Sequence, residues 1–173
     1  MGTATRAWGS RARLWWVTGG AVLVLVTAAV AAYLLTTPAP KDMTARAAEV
    51  MPFDLAATHH SFTATEAGGV ELVITKNPDD QANIGSIRAH LRHEADRFTL
   101  GDYSDPARIH GADMPGLAEL RAGAGRVQVR YAEVTSGAQL TFTSTDPALI
   151  QALHRWFDAQ NHDHAKPGMG MDH

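Results

Sequence analysis

The chain of 173 residues contains no cysteine. This absence excludes disulfide bonds, thiolate zinc sites, cysteine nucleophiles and the lipid-bearing cysteine of bacterial lipoproteins. Any metal site in the chain must therefore use His, Met, Asp or Glu side chains. The length suits one ordinary domain together with a membrane or linker segment.

The short motifs of common enzymes are also missing. The sequence has no Gly-rich phosphate loop, no nucleophile elbow and no His-Glu-x-x-His helix. Ser104, Asp105 and His110 contain the residue types of a catalytic triad, but these letters in one loop mean nothing without triad geometry. The sequence favours a non-enzyme, and a small transferase or hydrolase is the least favoured function.

Charged residues are absent from a long N-terminal stretch, residues 14–40. As a helix, Leu14–Leu35 would span about 33 Å, enough to cross a bilayer core. Three arginines and no acid precede it, so the positive-inside rule places residues 1–13 in the cytoplasm and the rest of the chain outside. We predict an uncleaved single-pass anchor over residues 14–36, in contact with the lipid bilayer; a cleavable signal peptide is the alternative.

The part beyond the anchor has no basic excess. It carries 12 Lys and Arg against 18 Asp and Glu, a formal charge of −6, which argues against binding of nucleic acid. Residues 37–50 are rich in Thr, Pro and Ala and predict an exposed linker. An extracytoplasmic domain is expected over residues 51–160, followed by a tail over residues 161–173.

Two stretches alternate apolar and polar residues around a turn, as β-hairpins do. In the first, Phe62 should point to the core, so period-two alternation places His60 on the same side and His59 on the other. The returning strand alternates Val70, Leu72 and Ile74 with Glu71, Val73 and Thr75. The second hairpin covers residues 127–142, and setting Gly69 against Gly137 aligns Leu72 with Leu140.

Each hairpin is followed by apolar residues at helical spacing. The first stripe predicts a helix to about Thr99, and the second predicts a helix capped by Thr145-Asp146-Pro147. The stripes are Ile84, Ile87, Leu91, Ala95 and Phe98, then Leu149, Ile150, Leu153, Trp156 and Phe157. We predict an α+β fold in which two ββα units form a four-stranded antiparallel sheet with two long helices on one face, next to the single transmembrane helix.

A turn-rich junction, residues 105–117, joins the two units. Asp105 before Pro106 looks like the cap of a one-turn helix that stops at Gly111, and Asp113 looks like the cap of a second short helix. Two such helices would bring His110, Asp113 and Met114 together. The alternative is that these side chains only cap helices and fill the core.

The histidines and methionines suggest metal binding. All nine His and five of six Met follow the anchor, and imidazole with thioether, without thiolate, suits copper better than zinc. His154 could be a ligand with Asp158 behind it, or an ordinary surface pair. The candidate metal ligands are His60, His110, Asp113, Met114, His154, His162, His164, Met169, Met171 and His173.

Several blocks resemble a family of small exported or membrane-anchored bacterial proteins. The matching blocks are Phe53–Leu55, Thr58–Phe62, Gly101–Leu117 and Leu153–Asp158, and the resemblance covers about residues 51–164. Members often carry the label aspartate carbamoyltransferase, whose Ser-Thr-Arg-Thr phosphate loop and His-Pro-Thr-Gln segment are absent here. The residues of this chain that match the family, within residues 51–164, are His60, His110, Asp113, Met114, His154 and His164.

Two functions remain open at this level. The first is a membrane-anchored, extracytoplasmic copper protein for sequestration or delivery, with His60, His110, Met114 and His154 as the domain site and the tail as a capture arm. The second is a non-catalytic module that binds an envelope protein, with structural or pH-responsive histidines. A large exposed apolar patch away from the histidines would favour the second.

Overall fold

The structure is a computed structural model that describes residues 42–164. The predicted anchor and the candidate ligands Met169, Met171 and His173 lie outside the described residues. Over residues 42–164, none of the helices combines the length and the apolar character that a bilayer crossing needs.

The sheet has four antiparallel strands in the order β1-β2-β4-β3. The strands are β1 (Thr58–Thr65), β2 (Gly68–Thr75), β3 (Gln128–Val134) and β4 (Gly137–Thr143). Two hairpins therefore meet along β2 and β4 at the centre of the sheet. This arrangement confirms the predicted α+β class and the antiparallel four-stranded sheet.

Two long helices, α2 (Gln81–Thr99) and α5 (Pro147–His164), pack on the sheet. Helix α2 follows β2 in the chain but crosses to cover β3 and β4, whereas α5 follows β4 and covers β1 and β2. Both apolar stripes enter one core, which includes Leu91 and Phe98 of α2 and Trp156 and Phe157 of α5. The core therefore lies between the sheet and the two helices.

The register of the first hairpin differs from the alignment used in the sequence analysis. Gly68, rather than Gly69, takes the place that Gly137 takes in the second hairpin, since Gly68 pairs with Thr65 as Gly137 pairs with Val134. A slip of one residue moves every side chain of a strand to the other face. Glu71 thus lies opposite Phe62 and Leu140, on the core side of the sheet.

The predicted linker is partly helical. Helix α1 (Met43–Val50) is capped by Asp42, and Ala47 is buried against Ile109. Arg46 Nε also donates a hydrogen bond to the Ile109 carbonyl at 2.7 Å. The composition of this stretch is typical of exposed tethers, but its alanines leave room for close packing.

The junction contains two short helices, α3 (Ser104–His110) and α4 (Leu117–Ala122), as predicted in outline. Their predicted caps are wrong. Tyr103 and Gly116 occupy the N-cap positions, and neither makes a side-chain cap hydrogen bond. Asp105 instead lies in the first turn of α3 and accepts a hydrogen bond from Arg97.

Helix α5 extends through the position at which the tail was expected to begin. It ends at His164, and both Gln160 and His164 are buried. Asn161 binds this last turn to the edge strand β1 through two hydrogen bonds. Its Nδ2 donates to the Phe62 carbonyl at 2.8 Å. Its Oδ1 accepts from the Phe62 amide at 3.2 Å. His162 and His164 therefore belong to the folded domain.

Candidate functional site

A small cavity lies between the sheet, α2, α3 and α5, and its volume is about 40 Å³. This volume can hold two or three water molecules or one ion, because each water needs roughly 10 to 15 Å³. Its lining combines apolar side chains with four histidines, three carboxylates and one amide. The polar residues of the lining are His60, His90, His110, His164, Glu71, Glu94, Asp105 and Gln160.

Three of the imidazoles come from three different elements and gather at one side of this cavity. His60 extends from β1, His110 ends α3 and His164 ends α5. The ring centroids of His60 and His164 are 5.2 Å apart, and those of His110 and His164 are 5.5 Å apart. His60 and His164 are 3% and 4% exposed, and the His110 side chain is 3% exposed. We call these three residues the histidine cluster.

Hydrogen bonds orient two rings of the histidine cluster. His110 Nδ1 donates to Asp163 Oδ2 at 3.0 Å, which directs the lone pair of this ring to Nε2. His60 Nε2 lies 3.4 Å from Thr58 Oγ1, whose hydroxyl donates to the Leu55 carbonyl. Because that hydroxyl proton is already used, His60 Nε2 is the donor and its Nδ1 carries the lone pair.

Carboxyl groups bound to Arg97 lie on the side of the cavity that α2 and α3 form. The Glu94 side chain is 5% exposed and accepts a hydrogen bond at 2.8 Å from Arg97 Nη1. The same guanidinium also binds Asp105, Asp102 and Ser104. Burial raises the pKa of Glu94 to about 7, although Arg97 opposes the shift.

Glu71 adds a second carboxyl from the sheet, on a residue that is half-buried. Within residues 42–164 no hydrogen bond or ion pair to this carboxyl is found. Burial, and then the neighbouring Glu94, raise the pKa of Glu71 to about 8. The raised pKa favours the neutral form of this carboxyl.

The histidines respond to burial in the opposite sense. Burial, followed by the neighbouring His164, lowers the pKa of His60 to about 3. Burial is also the largest cause of the lowered pKa of His90, about 4. Both rings are neutral at and below neutral pH, and a neutral imidazole can offer a nitrogen lone pair to a metal ion.

Two buried polar atoms of α5 also belong to residues that line the cavity. Trp156 Nε1 and Gln160 Oε1 have no hydrogen-bond partner within the described part of the chain. An unpaired buried donor or acceptor costs about 1 to 3 kcal/mol, so both atoms favour a polar occupant of the cavity.

The other predicted ligands are not part of the histidine cluster. Asp113, Met114 and His162 line an open surface groove, and His110 and Asp163 line it as well, so His110, Asp113 and Met114 share this groove. His154 lines neither the cavity nor this groove, and its Nε2 donates to the Thr65 carbonyl at 2.9 Å. The four-residue domain site expected from the sequence is therefore divided: His60 and His110 share the cavity, Met114 lies in the groove, and His154 is separate.

The side chains are not arranged as a ready-made metal centre. No group of three or more His, Asp or Glu residues between positions 42 and 164 has the geometry that a bound metal ion requires. In the histidine cluster the reason is ring orientation, because His60 and His164 are nearly parallel, with 23° between their planes. Their nitrogens cannot point at one atom without rotation of a ring.

Several residues at the cavity were not among the predicted metal ligands, namely Glu71, His90, Glu94, Asp105, Trp156, Gln160 and, beside His110, Asp163. Glu94 could have been found, because it lies three residues after Leu91 and four before Phe98 in the buried stripe of α2. Glu71 could be placed on the core side of the sheet only with the correct register of the first hairpin.

Comparison with known proteins adds no assignment: no protein-family model, no curated protein and no solved structure matches this chain.

Proposed function

We propose that this protein binds copper in the domain through His60, His110 and His164, and acts in sequestration or delivery of the metal on the outer side of a membrane. The single observation that carries the proposal is the convergence of three buried imidazoles from three elements beside a cavity. The chain has no cysteine, so imidazole and thioether groups are the ligands that it can offer to copper.

The spacing of the rings supports this proposal. Imidazoles that share one metal ion have ring centroids roughly 4.5 to 5.5 Å apart, because metal–nitrogen bonds are about 2.0 to 2.1 Å long. The two measured separations, 5.2 and 5.5 Å, fall in that range. A metal ion shared by His60 and His164 would require rotation of these stacked rings.

The partner of His110 also fits a ligand role. An imidazole that binds a metal usually donates its other N–H to a carboxylate or carbonyl, which fixes the tautomer and raises the basicity of the ring. Asp163 supplies such a carboxylate to His110 at 3.0 Å. His162, which precedes it, is exposed and faces the groove with Met114.

The position of the protein in the cell is part of the proposal. The uncharged stretch over residues 14–36 would hold the domain outside the cytoplasm, and the tail residues Met169, Met171 and His173 would act as a capture arm for the metal. The competing function, a protein-binding module, predicts a large exposed apolar patch. Among the described residues, Leu100 is the one large apolar side chain that is well exposed, at 76%.

The test is a Cu(I) competition assay on the full chain and on single variants. We expect His60→Ala, His110→Ala and His164→Ala each to weaken binding at the domain site at least tenfold, because each removes a ligand. A chain truncated after His164 should keep this site, since the tail contributes only capture.

Two histidines outside the cluster serve as controls. His93 is exposed on α2, and His154 binds a backbone carbonyl away from the cavity. His93→Ala and His154→Ala should leave the affinity unchanged. Equal losses in these controls, or copper that disappears with the tail alone, would contradict the domain site.

A further inference from the structure

The sheet has a second face, which is turned away from the core and the cavity. Because Val73 lies in the core, period-two alternation places its neighbours Ile74 and Leu72, and then Val70, on the other face of β2. None of these three side chains belongs to the core or packs against it. Within residues 42–164 the long helices bury their apolar stripes on the core side of the sheet, so neither lies over this second face. We call it the open face.

The centre of the open face is more apolar than a solvated sheet face should be. An antiparallel sheet with one face in water normally carries polar side chains on that face. The outward side of the central strand β2 instead carries Val70, Leu72 and Ile74 after Gly68. Each of the three is half-buried, and they follow one another in a continuous row along the strand. Such a row indicates a surface that another surface covers.

The charges of the open face fit a second copy of itself. The four strands place no acidic residue on this face, although the chain beyond the predicted anchor has 18 Asp and Glu. Arg130 is the one Lys or Arg that the strands place there, and it lies on the edge strand β3. The neighbours of Leu72 in the adjacent strands, Ser61 and Gln139, are uncharged. Two such faces can therefore stack with an uncharged centre and a polar rim, as protein interfaces do.

The size of the open face suits a weak dimer. The strands have seven or eight residues each. With strands about 4.8 Å apart and a rise of about 3.4 Å per residue, one face covers roughly 500 Å² in projection. Two faces together cover roughly 1,000 Å², which is near the lower limit for a specific interface. The predicted anchor would favour such a weak contact, because it confines the copies to one membrane and raises their effective concentration.

We propose that the open face binds the open face of a second copy, with the two apolar rows of β2 in contact at the centre. Two sheets packed in this way lie about 10 Å apart, and their strands run within about 30° of each other. The cavity is on the opposite side of the sheet, where Val73 and Leu140 contribute to its lining. The dimer therefore does not depend on copper, and this inference goes beyond the proposed function.

Sedimentation equilibrium of the metal-free full chain in detergent tests the dimer. The unsubstituted protein should show a reversible equilibrium between monomer and dimer. Leu72→Lys should raise the dimer Kd at least tenfold, because it replaces an apolar contact at the centre by two like charges. Thr141→Lys should do the same from β4, where it changes a half-buried polar residue of the open face and leaves the apolar row intact. Leu100→Lys is the matched control, since Leu100 is exposed away from the sheet and should leave the Kd unchanged.

The outcomes separate a second copy from other occupants of the open face. A chain that stays monomeric at all concentrations, and whose Leu72→Lys variant loses binding to lipid vesicles instead, would overturn the dimer. A dimer of equal Kd in Leu72→Lys, Thr141→Lys and the unsubstituted protein would also overturn it, because the contact would then lie outside the open face. The Cu(I) affinity of Leu72→Lys should equal that of the unsubstituted protein. Failure of copper binding would contradict the proposed function alone, so the two proposals can fail separately.

Discussion

Burial acts on single residues of the cavity in two opposite ways, and both favour neutral side chains. It lowers the pKa of His60 and raises that of Glu71, because water no longer stabilises either charged form. The result is a cavity that holds imidazole lone pairs and a carboxyl proton at neutral pH.

The contact between Asp163 and His110 leads to a prediction on a single side chain. Asp163→Asn should weaken Cu(I) binding by about 10- to 100-fold, because the amide no longer stabilises the ring as a carboxylate does. Asp158→Asn is the matched control, since Asp158 lies on the same helix and in the same groove but is exposed. A Cu(I) competition assay compares the two variants, and equal affinities would contradict a supporting role for Asp163.

Sequence reasoning placed some of these residues and missed others for physical reasons. Alternation with Phe62 placed His60 in the interior, and the structure confirms this. Glu71 was missed because both faces of β2 carry apolar side chains, so the pattern did not choose the register. Asp105 was read as a helix cap because local sequence does not show that Arg97, eight residues earlier, reaches it.

The packing of the helices and strands is stabilised by a few contacts between distant parts of the chain. Asn161→Ala should lower the free energy of unfolding by about 1 to 3 kcal/mol, because it removes both hydrogen bonds from the end of α5 to the Phe62 backbone in the edge strand. Gln151→Ala, an exposed change on the same helix, should have little effect. Urea unfolding measures both, and equal midpoints would show that the Asn161 contact contributes nothing.

The start of α4 depends on a glycine. Gly116 has φ +83°, and a Cβ there would collide with the Ala152 carbonyl of α5. Gly116→Ala should therefore destabilise the domain by about 2 kcal/mol or more.

Gly85 provides the contrast to Gly116. It lies within α2, where a Cβ would meet nothing within 4 Å, so Gly85→Ala should stabilise the domain by about 0.5 to 1 kcal/mol. Thermal unfolding separates these two results. A tolerated Gly116→Ala would mean that α4 and α5 do not pack as described.

At the level of elements, the sequence predicted both hairpins and both long helices, because period-two and helical patterns are strong over such lengths. It did not predict α1 or the extension of α5 to His164. Helix α1 is Ala-rich and the extension of α5 is polar, and both are helical because they pack on α3, the cavity and β1. Contacts of this kind are not visible in a local pattern.

The whole domain should have a pH optimum of stability that follows from the four shifted groups. His60 and His90 have folded pKa values below the unfolded value of 6.5, so their stabilisation is lost as pH falls towards 4 and 3. Glu71 and Glu94 have folded pKa values above the unfolded value of 4.5, so their stabilisation is lost as pH rises through 7 and 8. The free energy of unfolding should be greatest between about pH 4.5 and 6.5, where the two effects oppose each other.

Glu71 should dominate the alkaline side of that profile. We expect the free energy of unfolding to fall by about 2 kcal/mol between pH 6.5 and 8 in the metal-free protein, and by much less in Glu71→Gln. Chemical unfolding across this range provides the measurement. The same decrease in both proteins would contradict a raised pKa of Glu71 in the folded protein.

The measurement that tests the central claim most directly is the X-ray absorption spectrum of the Cu(I)-loaded chain truncated after His164. Without the tail, the histidine cluster predicts three nitrogen ligands at about 2.0 Å and no sulfur ligand. His164→Ala in the same chain should lower the nitrogen coordination. A spectrum with a sulfur ligand, which would indicate a methionine such as Met114, or a truncated chain that retains no copper, would contradict a histidine site in the cavity.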